Sequence, residues 1–581
     1  MSTLSPLNWE PCSGCSCSNH RLPSYHFPTE NTTSLYLERL TQCNDPPSPT
    51  EADELRRAVL SYEQQIHNLT IEEEKLQQML TKIHDSVKEK AGLLHREKER
   101  VLAAISNRKR VLSPVRRLSV EILFQIFLDT IEFPVRRTQS PDSDNLWDFH
   151  PTDNPMWSLE CVSKQWRMVA MSFPQLWSYI NIILTEDNFE DQSYARRLGE
   201  QCNRARNYPL SVSIADEDIE PIDFPPHLAG ILFTISRDIR ELHLFLCSAT
   251  FIEIDRLQLS SPSLERLSLH SLETDEFDEG LHLLRTSPKL RTLKVFDVDK
   301  PSSYFILPWH QIVAYKSNHT HTSSFRMGPS SYYHLKVLRE LTQLEEYTLC
   351  CQDSTIEGQL NDEVFPLTCT NIRSMKIFSH IRHSEESDSD TALKQILVRL
   401  ALPSLASLKV DCLSREAPGT FTAIRELIVK SQCPITTLHF DHGFILEKDF
   451  LHILRRSPTL EDVRLTHVDV SLNKTLAELT PKLDGTRTLT PRLQTLHLGG
   501  SVVFDINVFV DMVVSRWNLA SLRIPHGVQR LVEVNLCQLI PIDGPRDEIN
   551  AVTALSALDV YMEEGLRVTF STEYMLNTGD Q

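Results

Sequence analysis

The sequence predicts a mixed α/β chain: a long N-terminal coiled-coil helix, a small helical module, then an irregular array of short parallel strands backed by helices. Three patterns carry that expectation. Apolar residues step by alternating fours and threes from Leu55 to Leu94. Two apolar helical stretches, at 118–127 and 161–170, flank an acidic, Pro-rich insert at 138–155. A short Leu-x-x-Leu-x-Leu phrase then recurs through the rest of the chain. At 581 residues the chain is too long for one hydrophobic core, so several domains or a repeat array are required.

Composition narrows the function classes. The net charge of −19 argues against broad nucleic-acid binding, which needs a basic surface. No apolar run is long enough to span a bilayer, and the N-terminus lacks the basic start and apolar core of a signal peptide. The thirteen cysteines are therefore read as reduced thiols of a cytoplasmic or nuclear protein. Only 16 glycines occur, and no phosphate-cradling Gly loop, His-Glu-x-x-His or Gly-x-Ser-x-Gly is present. No cofactor is expected.

Residues 1–50 read as a disordered, Cys-containing head. Cys12, Cys15, Cys17 and His20 are four soft ligands, but they crowd into nine residues without a second half. A flexible tail without metal is the preferred reading. Residues 51–110 form the coiled-coil helix. Its seam runs through Leu55, Val59, Tyr62, Ile66, Leu69, Leu76, Leu80, Ile83, Val87 and Leu94, interrupted by Glu73 and Lys90. Self-association through this seam and packing of one helix onto its own chain are both open, because the pattern alone does not give an oligomeric state.

Residues 113–180 read as the helical module with a long internal loop. Pro114 stops the preceding helix. Leu118, Val120, Ile122, Leu123, Ile126 and Phe127 then form a broad apolar stripe, and Cys161, Val162, Trp166, Val169 and Ala170 repeat at helical steps. Leu118-Ser119-Val120-Glu121-Ile122-Leu123 resembles the Leu-Pro-x-Glu-Ile-Leu opening of an F-box. Cys161-Val162-Ser163-Lys164-Gln165-Trp166-Arg167 resembles its Cys-Lys-x-Trp-Arg second half, and residues 173–177 are similar to the Pro-x-Leu-Trp that follows. The layout resembles F-box proteins of mushroom-forming fungi: Cys-bearing head, coiled coil, Ser-Pro-x-Arg-Arg-Leu, F-box, repeats. Ser119 stands where the family's motif has Pro, and the internal loop is long; both bear on adaptor affinity.

The repeats are spaced by about 22–33 residues, the range of leucine-rich repeats. They begin at Ile239, Leu264, Leu290, Ile312, Leu344, Ile372, Leu405, Ile435, Leu460, Leu493 and Leu519. Pro often lies two residues ahead, as at Pro262, Pro288, Pro403, Pro458 and Pro491. A leucine-rich-repeat solenoid over 205–572 with a C-terminal cap is expected, followed by a tail at 573–581. The x between the two apolar strand residues faces solvent. That column reads His243, Ser268, Lys294, Lys316, Thr348, Lys376, Lys409, His439, Arg464, His497 and Arg523. It is basic in an acidic chain, which suits an acidic or phosphorylated partner, although Glu241, Glu346, Asp411, Asp441 and Asp462 lie beside it. The acidic loop 383–390 reads as solvated.

The resemblance implies a non-catalytic substrate-recognition subunit of an SCF-type cullin–RING ubiquitin ligase, acting in ubiquitin-dependent protein catabolism. Leu118, Ile122, Leu123, Cys161, Trp166 and Arg167 would bind the Skp-type adaptor and, through it, cullin. Lys294, Lys376, Lys409, His439, Arg464, His497 and Arg523 would bind an unknown target protein. The alternative is an interaction scaffold without ubiquitin chemistry. An enzyme using His439 or His497 lacks a convergent nucleophile or acid–base set in the sequence.

Overall fold

The structure, a computed structural model, describes residues 42, 46–131, 155–185, 192–216, 224–272, 280–284, 286–318, 331–351, 367–379, 389–412, 418–481, 488–500, 502–519, 527–537 and 554–571. The Cys12, Cys15, Cys17 and His20 group, the 138–154 part of the insert, Arg523 and most of the acidic loop lie outside the described residues. The chain divides into two units, Met1–Arg117 and Leu118–Gln581.

The first unit is dominated by α1 (Pro49–Val111), one helix of 63 residues. It spans about 95 Å at 1.5 Å per residue. Its start is written in Ser48-Pro49-Thr50-Glu51. The Ser48 hydroxyl accepts from the Glu51 N–H, and the Glu51 carboxylate accepts from the Ser48 N–H at 2.8 Å. Pro49 occupies the first turn, where no N–H is needed. Leu112 ends the helix with a 3.0 Å bond to the Arg108 carbonyl. Val59, Tyr62, Ile66, Leu80, Val87 and Leu94 of the seam are exposed.

The second unit opens with α2 (Val120–Asp129), α3 (Met156–Leu159) and α4 (Lys164–Ser172), and continues into a mixed α/β array. Its strands are β1 (Tyr179–Leu184), β2 (Leu210–Asp216), β3 (Ile239–Leu246), β4 (Arg266–Ser271), β5 (Thr292–Phe296), β6 (Ala314–Asn318), β7 (Glu346–Cys351), β8 (Leu367–Thr368), β9 (Ser374–Ser379), β10 (Leu400–Ala401), β11 (Ser407–Cys412), β12 (Thr437–Phe444), β13 (Asp462–Ser471), β14 (Thr495–Gly499), β15 (Val502–Val503), β16 (Glu533–Cys537) and β17 (Arg567–Ser571). Fifteen of them form one parallel sheet that runs in chain order from β1 to β17, with β15 beside β13; β8 and β10 pair separately.

The repeated phrase explains this sheet. Its second and third apolar positions, as in Leu408 and Val410 or Leu438 and Phe440, are buried in the strand and pack against the connecting helices. Those helices answer with apolar faces such as Leu393, Ile396 and Leu397, or Phe450, Ile453 and Leu454. The Pro ahead of the phrase sits in a turn that aims the chain into the strand. The N–H of Leu264 donates to Ser261 across Pro262, and Leu290 to Ser287 across Pro288. Leu405, Leu460 and Leu493 repeat that bond across Pro403, Pro458 and Pro491.

Three strands differ from the sequence reading. The sheet begins at Tyr179 rather than after residue 205: Tyr179–Leu184 alternates buried and less buried residues, Leu210–Asp216 is mostly buried, and neither carries the full repeat phrase. The sheet neighbour that follows β14 is Glu533–Cys537: Leu496 and Leu498 register directly against Val534 and Leu536, and most of the segment that starts at Leu519 lies outside the described residues.

Candidate functional site

Two surfaces concentrate the residues singled out in the sequence. The first is the helical module. Ser119 takes up α2's N-cap position, its hydroxyl accepting from the Ile122 N–H, and the bond it makes to Glu121 lowers that exposed carboxyl's pKa. The hydroxyl thus satisfies one of the free N–H groups in the first turn of α2. Ser163 caps α4 in the same way, accepting from the Trp166 N–H at 3.1 Å. The Gln165 side-chain amide donates to the Leu118 carbonyl at 3.0 Å, tying the two helices.

The core of the module is aromatic. Trp166 meets Phe127 edge-on at 5.1 Å, and Phe124 stacks on Phe173 at 4.2 Å. Trp177 is fully buried; its indole N–H donates to the Ala170 carbonyl at 2.8 Å, and its ring meets Trp157 at 5.0 Å. The Arg204 guanidinium lies 4.5 Å from the Trp157 ring centre and 4.4 Å from that of Trp177, and pairs with Glu160 at 2.9 Å. Arg204 belongs to the helix Gln192–Ala205 between β1 and β2, so the module and the start of the sheet share one packed joint.

This packing sorts the six expected docking residues. Leu123 is fully buried against 51% exposure for its neighbour Ile122, so Leu123 is corrected to a core residue. Leu118 and Trp166 are half-buried within the module, whereas Cys161 and Arg167 are exposed. Ile126 and Val162, which the sequence reading placed in the apolar stripes but not among the docking residues, point outward, as do Met168 and Met171, which it did not name. The signal was the helical step: Ile126 follows Ile122 by four, and Met171 follows Met168 by three.

The second surface is the face of the sheet opposite the helices. One register line crosses it through Asn181, Ser213, His243, Ser268, Lys294, Lys316, Thr348, Lys376, Lys409, His439, Arg464, His497, Asn535 and Thr569. The line passes from His497 to Asn535, and Arg523 lies outside the described residues. Ser213, His243 and Ser268 are buried, so the line is covered at its β2–β4 end. Charges are also redistributed. Asp462 pairs with both His439 at 3.2 Å and Arg464 at 3.1 Å. Burial, then Arg464, lowers the His497 pKa, leaving that ring neutral at pH 7. Lys294, Lys316, Lys376 and Lys409 stand on this line between β5 and β11, over about 19 Å at the usual strand spacing. The register sets Lys294 beside Lys316 and Lys376 beside Lys409, so like charges stand side by side.

No family model matches this chain, and no curated protein matches it.

Asp441, His442 and His467 place ligand atoms within 4.8 Å of one another and could hold a metal ion. His442 stacks on His467 at 4.9 Å, and its Nδ1 lies 3.3 Å from the carboxylates of both Asp411 and Asp441. Burial, reinforced by Asp441, raises the Asp411 pKa. Gly500 permits this crowding: at φ +77° it lies against His467, where a Cβ would sit 2.6 Å from that residue's Cα. No spacing in the sequence marks this group, because neighbouring strands assemble it.

Glu241 supplies a pH test of the face. Burial opposes its ionisation, but bonds from His243 and from Arg266 at 2.7 Å outweigh that and bring its pKa down to about 2. Its stabilisation is complete above the unfolded carboxyl's value, about 4.3, and is lost as pH falls through about 2. Glu241→Gln is expected to lower urea-unfolding stability by about 1–2 kcal/mol at pH 7, after allowance for partial solvent screening. That difference should shrink steadily between about pH 4 and about pH 2.

Proposed function

We propose that this chain is the substrate-recognition subunit of an SCF-type cullin–RING ubiquitin ligase. The observation that carries the reading is the division of faces in the helical module. Leu123, Phe127, Val169 and Trp177 fill its interior, while Ile122, Ile126, Val162, Met168 and Met171 are left exposed on or beside two helices tied to each other. Monomeric proteins rarely expose apolar side chains in such numbers on a module this small unless a partner covers them. An F-box uses such a surface to hold the Skp-type adaptor, and the adaptor holds cullin.

In this reading the sheet is the inner face of a leucine-rich-repeat solenoid and receives the target protein. Lys294, Lys316, Lys376 and Lys409 favour an extended acidic or phosphorylated segment, about six residues long at 3.3 Å each. The thioester chemistry belongs to the ubiquitin-carrying enzyme bound elsewhere in the ligase, and this chain contributes position and proximity.

The test is retention of a purified Skp-type adaptor by the immobilised full-length chain. Stoichiometric retention is expected. A folded chain that retains no adaptor would leave an interaction scaffold without ubiquitin chemistry as the better reading.

A further inference from the structure

The exposed seam of α1 has a polarity that its apolar pattern alone does not reveal. In heptad terms, Val59, Ile66, Glu73, Leu80, Val87, Leu94 and Val101 share one seam position. Leu55, Tyr62, Leu69, Leu76, Lys90 and Glu97 share the other. Two identical parallel helices would set Glu73 against Glu73 and Lys90 against Lys90. Two antiparallel helices pair the first set with the second, and only certain registers are allowed.

One of those registers is self-complementary. With its two-fold axis between Thr81 and Lys82, Glu73 of each helix meets Lys90 of the other. Leu76 then meets Val87, Leu69 meets Leu94, and Tyr62 meets Val101. Sliding by one heptad in one direction sets Glu73 against Glu97; in the other it sets Lys90 against Ile66. The favoured register also leaves only the first turn of α1 unmatched. Glu63 and Lys98, which flank the seam, come together as well. Two layers are mixed: Ile66 meets Glu97, whose carboxylate is already held by Arg100 at 2.7 Å, and Leu55 meets Arg108, whose guanidinium donates to the Ala104 carbonyl at 3.1 Å.

The charge of the whole helix agrees independently. Residues 49–81 hold seven acidic and three basic side chains, net −4; residues 82–111 hold nine basic and four acidic, net +5. An antiparallel pair lays the acidic half of one helix along the basic half of the other, with helix dipoles opposed. A parallel pair would align like with like. The seam residues that would be covered are exposed in α1, Leu80 and Leu94 most of all.

We propose that α1 is the dimerisation element of this protein and pairs with α1 of a second copy, antiparallel, with Glu73 and Lys90 locking the register. Each dimer then carries two Leu118–Gln581 units. The proposal is independent of the ubiquitin-ligase reading.

Sedimentation equilibrium of the full-length chain tests it. The wild-type chain is expected to dimerise. Glu73→Lys alone, or Lys90→Glu alone, replaces two attractive layers with two repulsive ones. Each should raise the dimer dissociation constant about a hundredfold. The combined swap, Glu73→Lys with Lys90→Glu, should restore it to within about threefold of wild type. Circular dichroism should show the helix intact in all variants, since both positions are exposed. In a parallel dimer the single reversals merely exchange one repulsion for another, so unchanged dimers would overturn the proposal. A monomeric wild-type chain, or a double swap as weak as the singles, would overturn it equally.

Discussion

Ile122→Asp combined with Ile126→Asp is expected to abolish binding to the Skp-type adaptor while leaving the chain folded. Both side chains are exposed on α2, so the substitutions open no cavity. Surface changes of this kind usually alter stability by less than about 0.5 kcal/mol. In a docked complex each would bury a carboxylate in apolar surroundings, costing about 2–4 kcal/mol apiece, or more than a thousandfold in affinity together. Affinity for the immobilised adaptor and thermal melting, measured on the same preparation, separate the two effects. Leu123→Asp makes the contrast: it places a charge in the core and should lower the melting temperature as well as binding. Equal binding by wild type and the Ile122/Ile126 variant would remove this surface from the docking account.

The largest stability effect should follow Trp177→Ala. Trp177 is fully buried, packs on Trp157, lies under Arg204 and donates to the Ala170 carbonyl. Its loss leaves a cavity, an orphaned carbonyl and a guanidinium with one of its two aromatic partners gone, at a cost of about 3–5 kcal/mol. Because Arg204 comes from the helix between β1 and β2, the damage should loosen the module from the start of the sheet. Denaturant unfolding should then show a destabilised or separate first transition. Trp177→Phe keeps most of the packing and loses the indole N–H, so a smaller cost of about 1–2 kcal/mol is expected. A Trp177→Ala chain as stable as wild type would show that the joint is not what holds these elements together.

Much of this architecture was legible because period and punctuation agree. The seam of α1 is a sustained 3.5-residue pattern, and its start is marked by Ser48-Pro49-Thr50-Glu51, a capping signature that sharpens the boundary. Ten of the repeat phrases became strands because each carried its own two buried positions, often behind a Pro-bearing turn. The strands β1, β2 and β16 were not read. The first two follow the helical module without the Leu-x-x-Leu-x-Leu phrase, and Leu531 opens β16's phrase without a preceding Pro. Sites were harder to read than strands. Sequence names the apolar residues of α2 but not which side faces inward; packing against Trp166 and Phe173 decides that Leu123 is core and Ile122 is surface. The column was readable from its alternation, yet its net charge depends on cross-strand partners such as Asp462, which only the register supplies.

The most direct measurement is gel filtration of the full-length chain mixed with a preassembled Skp-type adaptor and cullin–RING scaffold. The account predicts one early-eluting peak containing all components. The Ile122→Asp/Ile126→Asp chain should elute apart from the adaptor and cullin. A wild-type chain that stays folded yet elutes separately from the adaptor would contradict the account.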